Sequence, residues 1–116
     1  RRSSDLAIEA HSFSANIPAQ TLEARLIQDA DRMEALGAIG LARVFYTSGR
    51  MQRAMFDPYD PLAKHRPLDD QAFALDHFFI KLYRVAEGMQ TEAGRRMAQK
   101  RKAFLEQYVT TLLSEL

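Results

Sequence analysis

Cysteine is absent from the 116 residues, which excludes disulfide bonds and cysteine-based zinc sites and leaves His, Asp and Glu as metal ligands. No hydrophobic run approaches the ~20 residues that a membrane-spanning helix needs. The longest apolar and small-residue stretch covers only residues 35–42. The pattern of a secretory signal is missing as well. We therefore expect a cytoplasmic protein that makes no contact with a membrane.

An excess of charge of one sign is also lacking. Sixteen Lys and Arg face fifteen Asp and Glu, which leaves a formal net charge of +1 and no bulk attraction for nucleic acid. A composition with 47% hydrophobic residues is that of a globular protein, and the length predicts one domain over residues 1–116. The first residue is Arg1 rather than methionine, so the chain need not be a whole gene product.

Helix-breaking residues are few, with five Gly and four Pro, and the prolines are confined to two loop-like stretches. Elsewhere apolar residues recur at helical spacing, which predicts an all-α bundle. The first expected helix opens at Leu22 after the N-cap Thr21, and a second piece ends at residues 48–49. A third helix is expected from Gln71 to about Ala86, capped by Asp69 or Asp70. The last one should run from the N-cap Thr91 to the C-terminus. Residues 49–67 are expected to form a long loop, and loops of that length are more often functional than not.

The apolar stripes of the first and last helices indicate which residues should form the core. On the first helix the stripe is Leu22, Leu26, Ala30, Met33 and Leu36. On the last helix it is Met97, Phe104, Leu105, Tyr108, Val109, Leu112 and Leu116. We expect both stripes to face the interior of the bundle.

Two aspartates of the first helix are candidates for a functional role. At about 100° per residue, Asp29 and Asp31 point to nearly opposite sides of the helix, so we do not expect both to bind one ion. Asp29 falls within the apolar stripe, where a carboxylate has to be paired, hydrogen-bonded or bound to a cation. Geometry alone leaves either aspartate as a candidate ligand. It also leaves open that both are surface acids paired with Arg25 or Arg32.

Several segments together resemble the second half of a bacterial HD-domain phosphohydrolase of a cytoplasmic subgroup. The most specific is Gln-Asp-Ala-Asp-Arg at residues 28–32, followed by Ala-Leu-Gly-Ala-Ile-Gly at residues 35–40. The other matching segments are His-Ser-Phe-Ser-Ala at 11–15, Asp-His-Phe-Phe-Ile-Lys-Leu at 76–82, Met-Gln-Thr at 89–91 and Arg-Lys-Ala-Phe at 101–104. They follow one another in order and at compatible spacing, so the resemblance covers nearly the whole chain.

The resemblance implies an all-helical fold that binds a divalent metal, Mn, Mg, Fe or Zn, through an N-terminal His, a His-Asp doublet and a late Asp. Asp31 occupies the position of the late Asp, so the resemblance selects Asp31 as the metal ligand and makes Asp29 a buried hydrogen-bonding group. His11 matches an additional His, which would serve a second metal, proton transfer or the phosphate. The implied activity is metal-dependent hydrolysis of a phosphate ester or anhydride, with a nucleotide as the candidate substrate.

One departure from the family pattern concerns the other metal ligands. The chain has no His-Asp doublet, and its adjacent Asp76 and His77 come in the opposite order. We therefore expect that part of the N-terminal half is absent, both upstream of residue 1 and between about residues 7 and 8. The alternative is a catalytically inactive binding or regulatory module on the same helical scaffold. A His and a His-Asp doublet upstream of Arg1 would favour the enzyme.

The candidate substrate-binding residues are Arg101, Lys81 and His77. An inward-pointing guanidinium at Arg101 could bind a phosphate, or the side chain could extend past the apolar stripe to solvent. His77, Lys81 and Arg84 share one helix face, which is also what a solvated polar face looks like. A further basic cluster comprises Arg95, Arg96, Lys100, Arg101 and Lys102. Because no aromatic residues are interleaved with it, we expect a small phosphorylated substrate rather than nucleic acid.

Overall fold

The structure is a computed structural model that describes residues 21–116. The helical elements are α1 (Leu22–Met33), α2 (Gly37–Arg50), α3 (Ala74–His77), the π-helical segment π1 (Phe78–Leu82), α4 (Tyr83–Glu87) and α5 (Glu92–Ser114). The prediction of an all-α fold is confirmed, since the only strand-like pairing within the described residues is one isolated bridge between Ala54 and Phe73. None of these helices combines the length and the apolar character that crossing a bilayer requires.

Two threonines begin the first and last helices as the sequence predicts. The Thr21 hydroxyl accepts a hydrogen bond from the Ala24 N–H at 2.9 Å. The Thr91 hydroxyl accepts one from the Gly94 N–H at 3.0 Å. Each bond satisfies one of the backbone donors that a helix N-terminus otherwise leaves without a partner.

The third helical stretch begins three residues later than the sequence predicts, at Ala74 rather than Gln71. The Asp69 carboxylate accepts the N–H of Gln71, but it caps only a turn. The chain then pairs with Ala54, which donates to the Ala72 carbonyl at 3.2 Å and accepts from the Ala74 N–H at 2.8 Å. This pairing holds Phe73 extended (φ −134°, ψ 126°), so the helix starts only after it, at Ala74. From Ala74 the chain stays helical through α3, π1 and α4.

The core lies between α5 and the helices α2, π1 and α4. Two partly buried rings, Phe45 and Tyr108, pack against the buried Phe78, with centroids 6.1 Å apart for Phe45–Phe78, 5.8 Å for Phe45–Tyr108 and 6.1 Å for Phe78–Tyr108. The fully buried side chains around them include Leu36 and Leu105. Tilted ring pairs at this spacing stabilise a fold by more than the burial of their apolar area alone.

The predicted apolar stripes are partly wrong. On α1, Leu22 and Leu26 are 63% and 47% exposed, and Ala30 is exposed too. On α5, Met97 and Phe104 are 50% and 46% exposed, and Leu116, which lies beyond the end of α5, is 60% exposed. The buried residues of α1 are Ala24, Gln28, Asp29 and Met33, and those of α5 are Gly94, Ala98, Leu105 and Val109. Small side chains let α5 approach its neighbours closely, so its buried face follows Gly94 and Ala98 rather than the bulkier residues.

Asp29 joins α1 to the beginning of α5. Its carboxylate, 3% exposed, accepts hydrogen bonds from the Gln90 N–H at 2.8 Å, the Thr91 N–H at 2.8 Å and the Thr91 hydroxyl at 2.6 Å. A negative charge beside a helix N-terminus also interacts favourably with the helix dipole. The expectation of a buried, hydrogen-bonding Asp29 is confirmed.

Gly94 makes room for this carboxylate, and we predict that Gly94→Ala destabilises the protein by about 2 kcal/mol. A Cβ at this position would collide with the Asp29 carboxylate and crowd the Thr91 hydroxyl. In an open helix the same change normally stabilises by up to about 1 kcal/mol. Gly49→Ala is the matched control, because a Cβ at Gly49 of α2 meets nothing within 4 Å. Urea unfolding measures the change in the free energy of unfolding for both variants. Changes of the same sign in Gly94→Ala and Gly49→Ala would contradict this account.

Candidate functional site

A pocket of about 350 Å³ opens where the end of α1 meets α2 and the α3–π1 stretch. It brings together three of the residues that the sequence singles out, namely Asp31, His77 and Lys81. The other residues that line it are Glu34, Ala35, Gly40, Arg43, Val44, Thr47, Arg53 and Leu82. We call this space the Asp31 pocket.

The charges on the walls of the Asp31 pocket favour an anion. Arg43, Arg53 and Lys81 line it together with the carboxylates of Asp31 and Glu34. The ion pair between Arg43 and Glu34 spans 3.8 Å, and both side chains are about two-thirds exposed (65% and 67%). An ion pair this exposed contributes little to stability, so water or a bound anion can easily replace Glu34 as the partner of Arg43. Guanidinium and ammonium groups that line one cavity are suited to bind a phosphate group.

The π-helical segment lies at the wall that carries His77 and Lys81. His77 is the last residue of α3, and Lys81 lies within π1, four residues further on. Single-turn π segments inside α-helices occur frequently at functional sites. Of the three residues that the sequence places on one helix face, His77 and Lys81 line the Asp31 pocket and Arg84 does not.

His77 is held by a carboxylate from the long loop between α2 and α3, which covers residues 51–73 rather than the predicted 49–67. Its Nδ1 lies 2.9 Å from Asp70 Oδ2, and the two side chains are 24% and 25% exposed. Arg53 fixes the backbone at this point, since its guanidinium donates to the Asp70 carbonyl. The same guanidinium donates from Nε to the buried Ser48 hydroxyl at 3.1 Å. The end of α2, the loop and α3 thus meet around one imidazole.

The long loop is anchored by an ion pair with Asp76, a residue with no exposed surface. Arg66 donates to the two Asp76 oxygens at 2.6 and 3.3 Å, and the Asp69 N–H donates to the same carboxylate at 2.8 Å. Arg66 also pairs with Asp57 at 2.9 Å. The two carboxylates, Asp76 first, raise the pKa of the Arg66 guanidinium, so this cation stays charged. Arg66 therefore supports the loop and does not reach the Asp31 pocket.

Two further aspartates give the loop its turns. The N–H of Tyr59 donates to Asp57 and is the main reason why the pKa of Asp57 is lowered, with Arg66 adding to the effect. The N–H groups of His65 and Lys64 lower the pKa of Asp60 in the same way. Hydrogen bonds to the ionised form favour it, so both side chains act as anionic caps of turns.

Arg101 lies at another place on the molecule. Its Nη1 donates to the Met33 carbonyl at 3.0 Å, at the C-terminal end of α1. It lines a separate pocket with Leu36, Gly37 and Phe104. Its side-chain carbons lie so close to Gly37, a residue with φ +71°, that a Cβ there would be 3.2 Å from them. The structure does not bring Arg101 to Asp31.

The rest of the basic cluster on α5 makes contacts within the chain. Arg96 pairs with Glu92 at 3.2 Å, and Lys102 lies 5.4 Å from the centre of the Tyr83 ring. Arg95 donates to the Met89 carbonyl at a long 3.5 Å. These contacts give the cluster structural uses that need no nucleic acid.

The residues described do not make up a metal site by themselves. In residues 21–116 no group of three or more His, Asp or Glu side chains stands close enough together to hold an ion. Asp31 offers one carboxylate on the pocket wall. His11 lies outside the described residues, so its place relative to Asp31 is not part of the geometry above.

Sequence reasoning missed Arg43, Arg53 and Asp70 as site residues. Arg43 lies three residues after the segment 35–40 that carries the family resemblance, and this proximity is the one signal for it in the sequence. For Asp70 the sequence predicts only a role as a helix cap. Its approach to His77 depends on the delayed start of α3, and no local pattern reports that.

A curated protein and several solved structures are similar to this chain. No family model matches the sequence. Among curated proteins, YpgQ of Bacillus subtilis is 32% identical over 96 residues, which make up 83% of this chain and 41% of YpgQ. The chain therefore spans less than half the length of that relative.

Solved structures are similar to this chain in their fold as well. The structure of Bacillus subtilis YpgQ in complex with ADP matches with a TM-score of 0.68 and 34% identity, over 83% of this chain and 45% of that one. An HD-superfamily hydrolase from Bacillus thuringiensis matches with a TM-score of 0.70 and 36% identity, over 82% of this chain and 46% of that one. The likeness supports a hydrolase-type helical fold, consistent with the resemblance in the sequence.

Proposed function

We propose that the chain is part of a metal-dependent phosphohydrolase that acts on a phosphate ester or anhydride, with a nucleotide as substrate. The observation that carries this proposal is the Asp31 pocket, in which Asp31 stands among Arg43, Arg53, Lys81 and His77. A carboxylate among cations suits a site where a phosphate group is bound and a metal ion is held beside it. We further propose a cytoplasmic location for the protein.

The comparisons support a phosphate-bearing substrate. One similar protein is named an HD-superfamily hydrolase, and another was solved in complex with ADP. Lys81 also borders a second pocket, of about 420 Å³, together with Arg32 and Arg84. Cationic side chains thus continue from the Asp31 pocket into its neighbour. This arrangement suits a substrate with more than one phosphate, such as a nucleoside polyphosphate.

Four residues of the Asp31 pocket have a role in this proposal. Lys81 and Arg43 offset the negative charge of the phosphoryl oxygens, and His77 contacts the substrate through Nε2. Asp31 is one ligand of a divalent ion, Mn, Mg, Fe or Zn. The remaining ligands come from outside residues 21–116, where His11 is the candidate in this chain. Arg101, whose guanidinium donates to the Met33 carbonyl and which lines a separate pocket, has no role in this proposal.

The second candidate is a binding module on the same scaffold without catalysis. It is favoured by one observation, that the described residues contain no set of three metal-binding side chains. Such a module would still bind nucleotides in the cationic pockets.

We expect the full-length protein to hydrolyse nucleoside di- or triphosphates with Mn²⁺ or Mg²⁺, and to lose this activity when EDTA removes the ion. Released phosphate and pyrophosphate, measured separately, show which bond is cut. Return of activity on adding back Mn²⁺ distinguishes loss of metal from damage to the protein. Binding of ADP without hydrolysis under any metal would contradict the enzyme and favour the module.

A further inference from the structure

We infer that Asp70 is a positioning residue, which holds the His77 imidazole with its proton on Nδ1 and in one orientation, so that the protonated ring donates its Nε2–H to a substrate phosphoryl oxygen in the Asp31 pocket. This inference deepens the proposed function and rests on it for the identity of the ligand. The juxtaposition of the two residues rests on geometry alone.

The contact between the two side chains defines which ring nitrogen is used. Asp70 Oδ2 lies 2.9 Å from Nδ1 of His77, and His77 itself lines the Asp31 pocket. An ionised carboxylate can only accept hydrogen bonds, so Nδ1 has to carry the proton. No residue in 21–116 takes Nε2 as a partner. A neutral ring then presents a lone pair at Nε2, and a protonated ring presents an N–H there.

The pair differs from an ordinary surface ion pair because both partners are held in place. Three-quarters of each side chain is covered, at 24% and 25% exposure. The Arg53 guanidinium fixes the Asp70 carbonyl, while the preceding residue, Asp69, donates its N–H to the buried Asp76. Two successive loop residues are thus tied to two successive residues of α3.

The ion pair of Arg66 with Asp76 fits the same purpose. It anchors the loop to the residue directly before His77, at 2.6 Å and in the least exposed part of the helix. The loop therefore cannot move away from α3 without breaking a buried ion pair, which is costly. A long loop that delivers one carboxylate to one imidazole in this way has a use beyond connecting two helices.

The first test is the tautomer of His77 in the full-length protein, measured on Asp70→Asn. Long-range ¹H–¹⁵N spectra of the imidazole rings at alkaline pH, where the rings are neutral, report which nitrogen carries the proton. His77→Gln identifies the signal among the three histidines of the chain. We expect the Nδ1–H form in the unmodified protein and a shift toward the Nε2–H form in Asp70→Asn, because a carboxamide can donate to Nδ1.

The control for this test is Asp69→Asn, which makes the same change of charge one residue away. Its amide oxygen can still accept the N–H groups of Gln71 and Ala72, and it does not contact His77. We expect its His77 spectrum to match that of the unmodified protein. An Asp70→Asn spectrum identical to both would overturn the inference, whatever the protein hydrolyses.

The second test is kinetic and separates positioning from a merely structural role. We expect Asp70→Asn to lower kcat/KM by about 10- to 100-fold with an unchanged unfolding midpoint, and Asp69→Asn to leave it unchanged. A fall in kcat would mean that Nε2 acts in the transition state, and a rise in KM that it binds the substrate; either supports the role. Unchanged kcat and KM would overturn it. If the unmodified protein hydrolyses nothing, only the proposed function fails. Titration with inorganic pyrophosphate then tests the inference by itself: a shift of the His77 Nε2 signal supports it, and an unchanged signal overturns it.

Discussion

Replacing Asp31 with asparagine should lower kcat/KM of the full-length protein by about a thousandfold or more, since a ligand of the metal ion would be lost. The same change should alter the free energy of unfolding by less than about 0.5 kcal/mol, because Asp31 is exposed on the pocket wall. Asparagine keeps the shape of the side chain and removes its charge. Activity is measured by release of phosphate or pyrophosphate, and binding of Mn²⁺ by calorimetry.

Glu34→Gln is the matched control for this prediction. Glu34 lines the same pocket, and it is exposed and paired only loosely with Arg43. We expect its kcat/KM to change by less than about tenfold. If Asp31→Asn retained the metal affinity and the activity of the unmodified protein, Asp31 would not be a ligand. If both variants lost activity equally, the pocket would need negative charge in general rather than a ligand at Asp31.

The elements that the sequence predicts well are those decided by neighbouring residues. Thr21 and Thr91 start their helices through bonds to N–H groups three residues on, a relation that is visible in the sequence. The loop after α2 is equally well marked, because its prolines and aspartates determine turns locally. The all-α class follows from helical spacing that runs through most of the chain.

The elements that it predicts poorly are decided at long range. The start of α3 depends on the pairing of Ala54 with residues 72–74, which lie about twenty positions further on. The approach of Asp70 to His77 is a consequence of that pairing. The exposed Leu22 and Phe104 show the same limit, since hydrophobic spacing defines a face but not which neighbour covers it.

The two aspartates of α1 show where both kinds of reasoning meet. Their spacing alone predicts that they face different surroundings, and they do, because Asp29 is buried and Asp31 is exposed. The rule that a carboxylate on an apolar face needs partners holds for Asp29, but its partners, Gln90 and Thr91, lie about sixty residues away. Geometry leaves open which aspartate binds a metal, and the choice of Asp31 rests on the family resemblance and stays a prediction.

We expect Asp29→Ala to lower the free energy of unfolding by about 3 kcal/mol. The change leaves the N–H groups of Gln90 and Thr91 and the Thr91 hydroxyl without their acceptor, in a region that is mostly buried. Buried donors without partners cost about 1–3 kcal/mol each, although the costs are not additive. The helix α5 also loses the negative charge at its N-terminus. Urea unfolding measures the loss.

Asp29→Asn separates the charge of this side chain from its shape. The carboxamide keeps one oxygen as an acceptor but turns an NH₂ group toward backbone N–H groups, so we expect it to cost about 2 kcal/mol rather than nothing. Asp31→Ala, on the opposite side of the same helix, should cost less than about 0.5 kcal/mol. A stability for Asp29→Ala equal to that of Asp31→Ala would show that the junction of α1 with α5 does not depend on this carboxylate. Because Asp29 supports the fold through its hydrogen bonds to Gln90 and Thr91, the loss of activity in its variants should follow the fraction of unfolded protein. The loss of activity in Asp31→Asn should instead persist in fully folded protein.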